Sequence, residues 1–306
     1  MSFVDWLFGR RSAIKETSGK VPRMSQELFQ ATPDERRHRV DVPYALPKDI
    51  MEGERLNLQH YLFRYALKGN YAAPLAENIT QILDVGSGTG IWGKEMTREF
   101  PAAHVYGLDL EPSSSVSLSA TATAQPANYT FVEGNILQGL PFADNVFDFT
   151  HQRMLALALP TQSWIAAIRE LVRVTRPGGW VELLEIGATI NNAGPASLQL
   201  LDWICAMLGK RGIDPKLMEQ LYVLAEQAGL KQPEHRYLDL PVGAWDTHVG
   251  VLLEKDCLAV FDALKPAVCA QFNLPVSVYD ATVQAAPLEW QQNRCTYRFS
   301  LVYGQV

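Results

Sequence analysis

An excess of basic residues is missing from this 306-residue chain, in which 27 Lys and Arg stand against 33 Asp and Glu for a formal net charge of −6. Proteins that grip phosphate backbones normally cluster cations, so a nucleic-acid partner is not expected. The densest basic run, Arg36-Arg37-His38-Arg39, follows Asp34-Glu35 and reads as a solvated helix face. Cysteine is scarce as well. Cys205, Cys257, Cys269 and Cys295 lie far apart with no C-x-x-C spacing, which excludes by pattern a zinc site and a redox pair, so no metal is expected. A secretory leader would place positive charge before a long apolar run. Here the short apolar group Phe3, Val4, Trp6, Leu7 and Phe8 precedes Arg10-Arg11, so cytoplasmic residence is expected and stable membrane association is not.

What is present is ordinary globular material, 47% hydrophobic and 20% charged. Glu52 to Leu67 carries Leu56, Leu58, Leu62, Phe63 and Ala66 at helical steps, and Gly69-Asn70 stops that helix. From Ile79 the pattern turns to short apolar runs separated by helical stretches, the signature of β-α-β units around a parallel sheet. Strands are predicted at Ile79–Val85, His104–Asp109, Tyr129–Glu133, Val146–Thr150 and Gly179–Ile186, with helices near Trp92–Arg98 and Ser163–Thr175. The Ser-, Ala- and Thr-rich segment from Pro112 to Asn128 predicts a short helix and a loop. Two helices split near Gly212-Ile213-Asp214-Pro215 are expected from Pro195 to Gly229 as a cap. A strand at His235–Leu240, a helix from Val251 to Cys269 and a strand at Arg294–Val302 follow.

The chemistry concentrates where the first strand runs into Asp84-Val85-Gly86-Ser87-Gly88-Thr89-Gly90. Three glycines after a strand permit a tight turn and let backbone approach a nucleotide, because no Cβ intervenes. Asp109 ends the second strand, where a carboxylate accepts hydrogen bonds from both ribose hydroxyls. A rival reading exists. Gly88-Thr89-Gly90-Ile91-Trp92-Gly93 satisfies the dinucleotide pattern G-x-G-x-x-G, although here Gly86, not Gly88, makes the turn directly after the strand.

Taken together, Asp84-x-Gly86-x-Gly88-x-Gly90, Gly107-Leu108-Asp109, Phe131-Val132-Glu133-Gly134-Asn135, Leu140-Pro141-Phe142 with Phe147-Asp148, and Arg176-Pro177-Gly178-Gly179 resemble the successive motifs of class I methyltransferases. Glu54-Arg55-Leu56-Asn57-Leu58-Gln59-His60, Gly90-Ile91-Trp92 and Phe149-Thr150-His151-Gln152-Arg153 resemble fungal secondary-metabolism methyltransferases and their bacterial relatives, a group that includes a global regulator. The resemblance implies an α/β fold, a Rossmann-like seven-stranded sheet with helices on both faces. It also implies a helical extension over residues 1–70 and a methyltransferase domain over 71–306, with cap insertions at about 192–232 and 245–292.

The cofactor implied is S-adenosyl-L-methionine, with S-adenosyl-L-homocysteine as product and a small-molecule methyl acceptor as partner. By matching position, the resemblance puts the methionine part near Asp84, Gly86, Ser87 and Gly88 and the ribose on Asp109, with Gly90, Trp92 and Gly134 also at the cofactor site. Leu110 and Ile136 would flank adenine, and the Asn135 carbonyl would accept from its amino group. Gln152 and Arg153 are expected to close over the cofactor or the substrate, with Gln59 and His60 covering it from the other side, each with an exposed-helix alternative. In-line displacement at the sulfonium methyl needs alignment first, and an oxygen or nitrogen acceptor also needs a base. His151, after the fourth strand, and Glu185, at the end of the fifth, are the candidates, each with a purely structural alternative. Arg153, Trp203, Met207, Trp245 and His248 are the candidates for acceptor binding, the aromatic and Met positions being equally readable as core.

Three functions remain open on these residues: a small-molecule methyltransferase, a regulatory protein that keeps the cofactor pocket but works through a partner, and a nicotinamide-dependent oxidoreductase. The methyltransferase accounts for the most motifs.

Overall fold

A computed structural model describes residues 46, 47, 49–112, 125–246 and 248–306. The apolar group at Phe3–Phe8, the basic run at Arg36–Arg39 and most of the predicted helix and loop after Pro112 lie outside the described residues.

Asp49 starts helix α1 (Ile50–Leu67) by accepting from the Glu52 amide at 2.8 Å, which satisfies a donor that has no partner within the helix. Lys68 ends it in the left-handed conformation. The buried face of α1 mixes Leu62 and Phe63 with Glu52, Arg55, Gln59 and His60. A helix that buries this many polar groups is covering something other than plain core.

The chain then alternates through β1 (Gln81–Val85), α2 (Ile91–Glu99), β2 (His104–Asp109), β3 (Tyr129–Glu133), β4 (Phe147–Arg153), α3 (Trp164–Val174) and β5 (Thr175–Asn191). Helices α4 (Pro195–Gly209) and α5 (Leu221–Ala228) follow, then β6 (Lys231–Pro241), α6 (Val249–Phe272), α7 (Val276–Asn293) and β7 (Thr296–Gln305). The strands form one seven-stranded sheet in the order β3-β2-β1-β4-β5-β7-β6. The first five strands pair in parallel, and β7 runs antiparallel between β5 and β6. The order reverses at β1, whose neighbours are β2 and β4. That reversal opens a crevice at the carboxyl ends of these strands.

Alternation along each strand sends side chains to two cores. Ile82, Phe149 and Leu184 join Leu62, Phe63, Met96, Ile204, Leu264 and Trp290 on the face covered by α1, α2, α4, α6 and α7. Leu83, Val85, Val181 and Leu183 join Ile168, Leu171, Leu221 and Leu224 on the face covered by α3 and α5. This corrects the cap expected over 192–232. Only α4 sits on the first face; α5 buries Leu221, Leu224, Ala225 and Ala228 on the opposite one.

Three further expectations change. Strand β4 continues three residues beyond Thr150, so His151 lies within it, and β5 reaches Asn191, so Glu185 is a mid-strand residue. Helix α7 was not predicted, and Pro287 stands inside it. No helix among the described residues is long and apolar enough to cross a membrane.

Candidate functional site

At the end of β1 the backbone turns through Gly86 (φ 74°), whose amide, like that of Ser87, donates to the Leu108 carbonyl at the end of β2. Asp109 fixes the far side of the turn: Oδ2 accepts from the Gly88 amide at 2.8 Å and Oδ1 from the Leu110 amide at 2.7 Å. From above, Thr89 Oγ1 donates to Asn57 Oδ1 of α1 at 2.6 Å, so the helix is latched to the loop. Gly90 lets Tyr129 pass beneath the loop; a Cβ there would lie 2.6 Å from the phenolic oxygen.

A polar row crosses the sheet beside this turn. Asp84 of β1, His151 of β4, Glu182 of β5 and Tyr303 of β7 are consecutive register partners, so their side chains share one face. His151 Nδ1 lies 2.9 Å from Asp84 Oδ1, and its ring stacks on Trp92 with centroids 4.0 Å apart and planes 5° from parallel. Trp92 is itself held by donating to the Asn70 carbonyl at 2.7 Å. Glu182 is fully buried; its Oε2 accepts from the Ala72 and Ala73 amides, and burial pushes its carboxyl above the ordinary value.

Two cavities open here. The first, of about 180 Å³, runs from Asp84, Gly86 and Ser87 past Asp109 to Asn135, Ile136 and Leu137, with α1 as its roof. The second, of about 110 Å³, is walled by Leu201, Ile204, Leu253, Val260, Phe261 and Ile186, with Arg55, Asp256, Cys257 and Tyr297 as its polar side. Leu56, Gln59 and Met154 line both. Met154 follows β4 directly and holds the left-handed conformation (φ 62°), an uncommon state for a side chain of its size and one concentrated at functional sites.

Residues 82–179 match the family described as a methyltransferase domain. The methyltransferase pytC of Aspergillus terreus is 31% identical over 214 residues, which is 66% of this chain and 62% of that protein. The fold and these likenesses together support a class I S-adenosylmethionine methyltransferase. The secondary metabolism regulator laeA of Aspergillus fumigatus is 26% identical over 75% of this chain and 62% of its own length. The chain thus spans about 62% of the length of these curated relatives. A phosphoethanolamine N-methyltransferase of Haemonchus contortus, solved in complex with S-adenosyl-L-methionine, shares the Rossmann-like fold with a TM-score of 0.51 at 16% identity, over 82% of this chain and 57% of that one.

Of the residues singled out in the sequence, Asp84, Gly86, Ser87, Gly88, Trp92, Asp109, Leu110, Gly134, Asn135, Ile136, His151 and Arg153 line the first cavity. Gly90 lies behind it. The Asn135 carbonyl is engaged in capping a short 3-10 turn, accepting from the Leu137 amide at 3.0 Å. Gln152 and Glu185 line neither cavity, because both point to the opposite face of the sheet. Glu185 accepts from the Leu155 and Ala156 amides at 3.0 and 2.8 Å and fastens the turn after β4, while burial pushes its carboxyl up to about 8.

The expected acceptor residues are also corrected. Arg153 belongs to the first cavity, not the second. Trp203 stacks on Tyr279 with centroids 5.8 Å apart, Met207 is buried core, Trp245 donates to the Val242 carbonyl, and the exposed His248 stacks on Tyr65. Missed altogether were Glu52, Leu56, Met154 and the Leu201–Ile204–Cys205 stripe. The stripe's i, i+3, i+4 spacing carried the signal.

Proposed function

We propose that this chain transfers the methyl group of S-adenosyl-L-methionine to a neutral, largely apolar small molecule of the secondary-metabolite kind. One observation carries the reading: the cavity under the Gly86 turn and an apolar cavity under α4 and α6 share the wall of Leu56, Gln59 and Met154. Donor and acceptor would therefore occupy neighbouring cavities, and Leu56, Gln59 and Met154 would have to turn aside for the reacting atoms to meet.

The residues of the first cavity fit the cofactor. Asp109 stands midway along it with acceptor capacity toward ribose hydroxyls, Leu110, Ile136 and Leu137 offer apolar walls to adenine, and Asp84 offers charge to an ammonium group. Bound there, the cofactor supplies an electrophilic methyl carbon. The chain's own contribution is alignment, worth several kcal/mol when the reacting atoms are held about 3 to 3.5 Å apart. With Nδ1–H of His151 turned to Asp84, the lone pair rests on Nε2, so His151 is the proposed base where the acceptor is a hydroxyl or an amine. Glu185 is assigned no part in proton transfer.

The test is calorimetric titration with S-adenosyl-L-homocysteine, with NAD and NADP run beside it, followed by incubation of acceptor panels with methyl-labelled cofactor. Saturable binding of the homocysteine ligand alone and labelled product from an apolar acceptor support the proposal. Binding only to a dinucleotide overturns it. Tight cofactor binding without turnover on any acceptor favours the regulatory reading, which the likeness to laeA motivates.

A further inference from the structure

The charges lining the first cavity are lopsided. Asp49, Glu52, Asp84, Asp109 and Glu111 supply carboxylates, and among the described residues Arg153 is the one Lys or Arg on its wall. S-adenosyl-L-methionine carries a sulfonium, an ammonium and a single carboxylate. The acidic wall suits its two cationic groups, and only one side chain on that wall suits its anionic group.

Arg153 is arranged as a cation that waits for a partner. No carboxylate among the described residues lies within ion-pair distance of it. Its guanidinium lies over the Phe63 ring at 5.1 Å, and its Nη2 is 3.3 Å from Nδ1 of His60. His60 has its other ring nitrogen 3.2 Å from Glu95, and burial lowers its pKa, so Nδ1 of a neutral ring receives the Arg153 proton. An aromatic face and a neutral imidazole thus fix the direction of the guanidinium without neutralising it. Arg153 ends β4 two residues beyond His151 on the same face, which puts it at the Asp84 end of the cavity, away from Asn135 and Leu137.

We propose that Arg153 binds the carboxylate of the cofactor's methionine moiety. The assignment rests on the reading of the first cavity as the S-adenosylmethionine site. It makes Arg153 a cofactor-binding residue, where the sequence had left cofactor and acceptor both open, and it gives the α1 residues Phe63 and His60 a positioning role through Arg153.

The experiment compares S-adenosyl-L-methionine with its decarboxylated analogue, which keeps the amine, the sulfonium and the adenosine. Both are titrated calorimetrically into the full chain and into Arg153→Gln and Arg153→Lys. The wild type is expected to prefer the carboxylated ligand by about ten- to hundredfold, the range of a hydrogen bond to a charged group. Arg153→Gln should lose that preference while binding the analogue within about twofold of wild type. Arg153→Lys, which keeps the cation should the Gln variant not fold, should retain most of the preference. Equal weakening of both ligands in Arg153→Gln, or an undiminished preference, overturns the assignment while leaving the cofactor site standing. Binding of neither ligand by the wild type overturns the cofactor reading and this proposal with it.

Discussion

Arg55 of α1 and Asp256 of α6 meet at 2.6 Å with both side chains buried, so the helix that roofs the first cavity is tied to the helix that walls the second. The tie is a network. Glu52 takes two further hydrogen bonds from the Arg55 guanidinium, and Gln59 donates to the other oxygen of Asp256 at 3.1 Å. Desolvating three charges is costly, and what offsets the cost is the completeness of the hydrogen bonding.

Asp256→Ala should therefore destabilise the fold by about 3 kcal/mol, the lower end of the range for breaking a buried pair, because Arg55 keeps Glu52. Arg55→Met should cost more, since it takes the cation away from both Glu52 and Asp256. The double variant should cost less than the sum of the two. Urea denaturation of the three variants checks this, and additive losses would mean the pair does not act as a unit.

Asp109→Ala removes a carboxylate that also holds the Gly88 and Leu110 amides. Loss of hydrogen bonds to a charged group, at about 1.5 to 3 kcal/mol each, predicts at least tenfold weaker binding of S-adenosyl-L-homocysteine. Asp109→Asn keeps one acceptor oxygen and should fall between. Near wild-type affinity in a folded Asp109→Ala protein would contradict the ribose assignment.

Two glycines with nearly the same φ separate strain from crowding. At Gly86 (φ 74°) an added Cβ would meet Leu155 at 2.7 Å, whereas at Gly178 (φ 79°) nothing lies within 4 Å. Gly178→Ala should cost only the left-handed penalty, about 1 to 2 kcal/mol, with cofactor affinity unchanged. Gly86→Ala should cost more in thermal unfolding and should also weaken S-adenosyl-L-homocysteine binding, because relief of the clash moves the turn after β4. Equal behaviour of the two variants would remove the packing argument.

The parts of this site that sequence conveys are those whose local geometry leaves a mark. The Asp84–Gly90 turn needs glycine, Asp109 sits at a strand end, and the apolar runs of β1 to β5 stand apart from their surroundings. What stayed hidden depends on contacts distant along the chain. His151-Gln152-Arg153 looked like loop because three polar residues rarely continue a buried strand; Asp84, Glu185 and the cavity give them partners. Trp203 was readable as pocket or as core; helix phase turns it to Tyr279 and presents Leu201, Ile204 and Cys205 to the cavity.

Glu185 makes stability depend on pH in an unusual direction. Burial holds its carboxyl at about 8, above the ordinary 4.5, despite the Leu155, Ala156 and Gln152 donors that favour the anion. The folded chain therefore retains a proton that the unfolded chain has released. The stability this contributes is complete below about pH 4.5 and is lost as the pH rises through about 8. Glu182, shifted upward by the same burial, adds to the trend. Glu185→Gln removes the titration and leaves a pH-independent cost, because an amide NH₂ must face one of the loop amides. Between about pH 5 and about pH 8.5 the urea midpoint of the wild type should fall more steeply than that of Glu185→Gln. Parallel curves would show that Glu185 is ionised throughout, with the three hydrogen bonds it accepts outweighing the cost of burial.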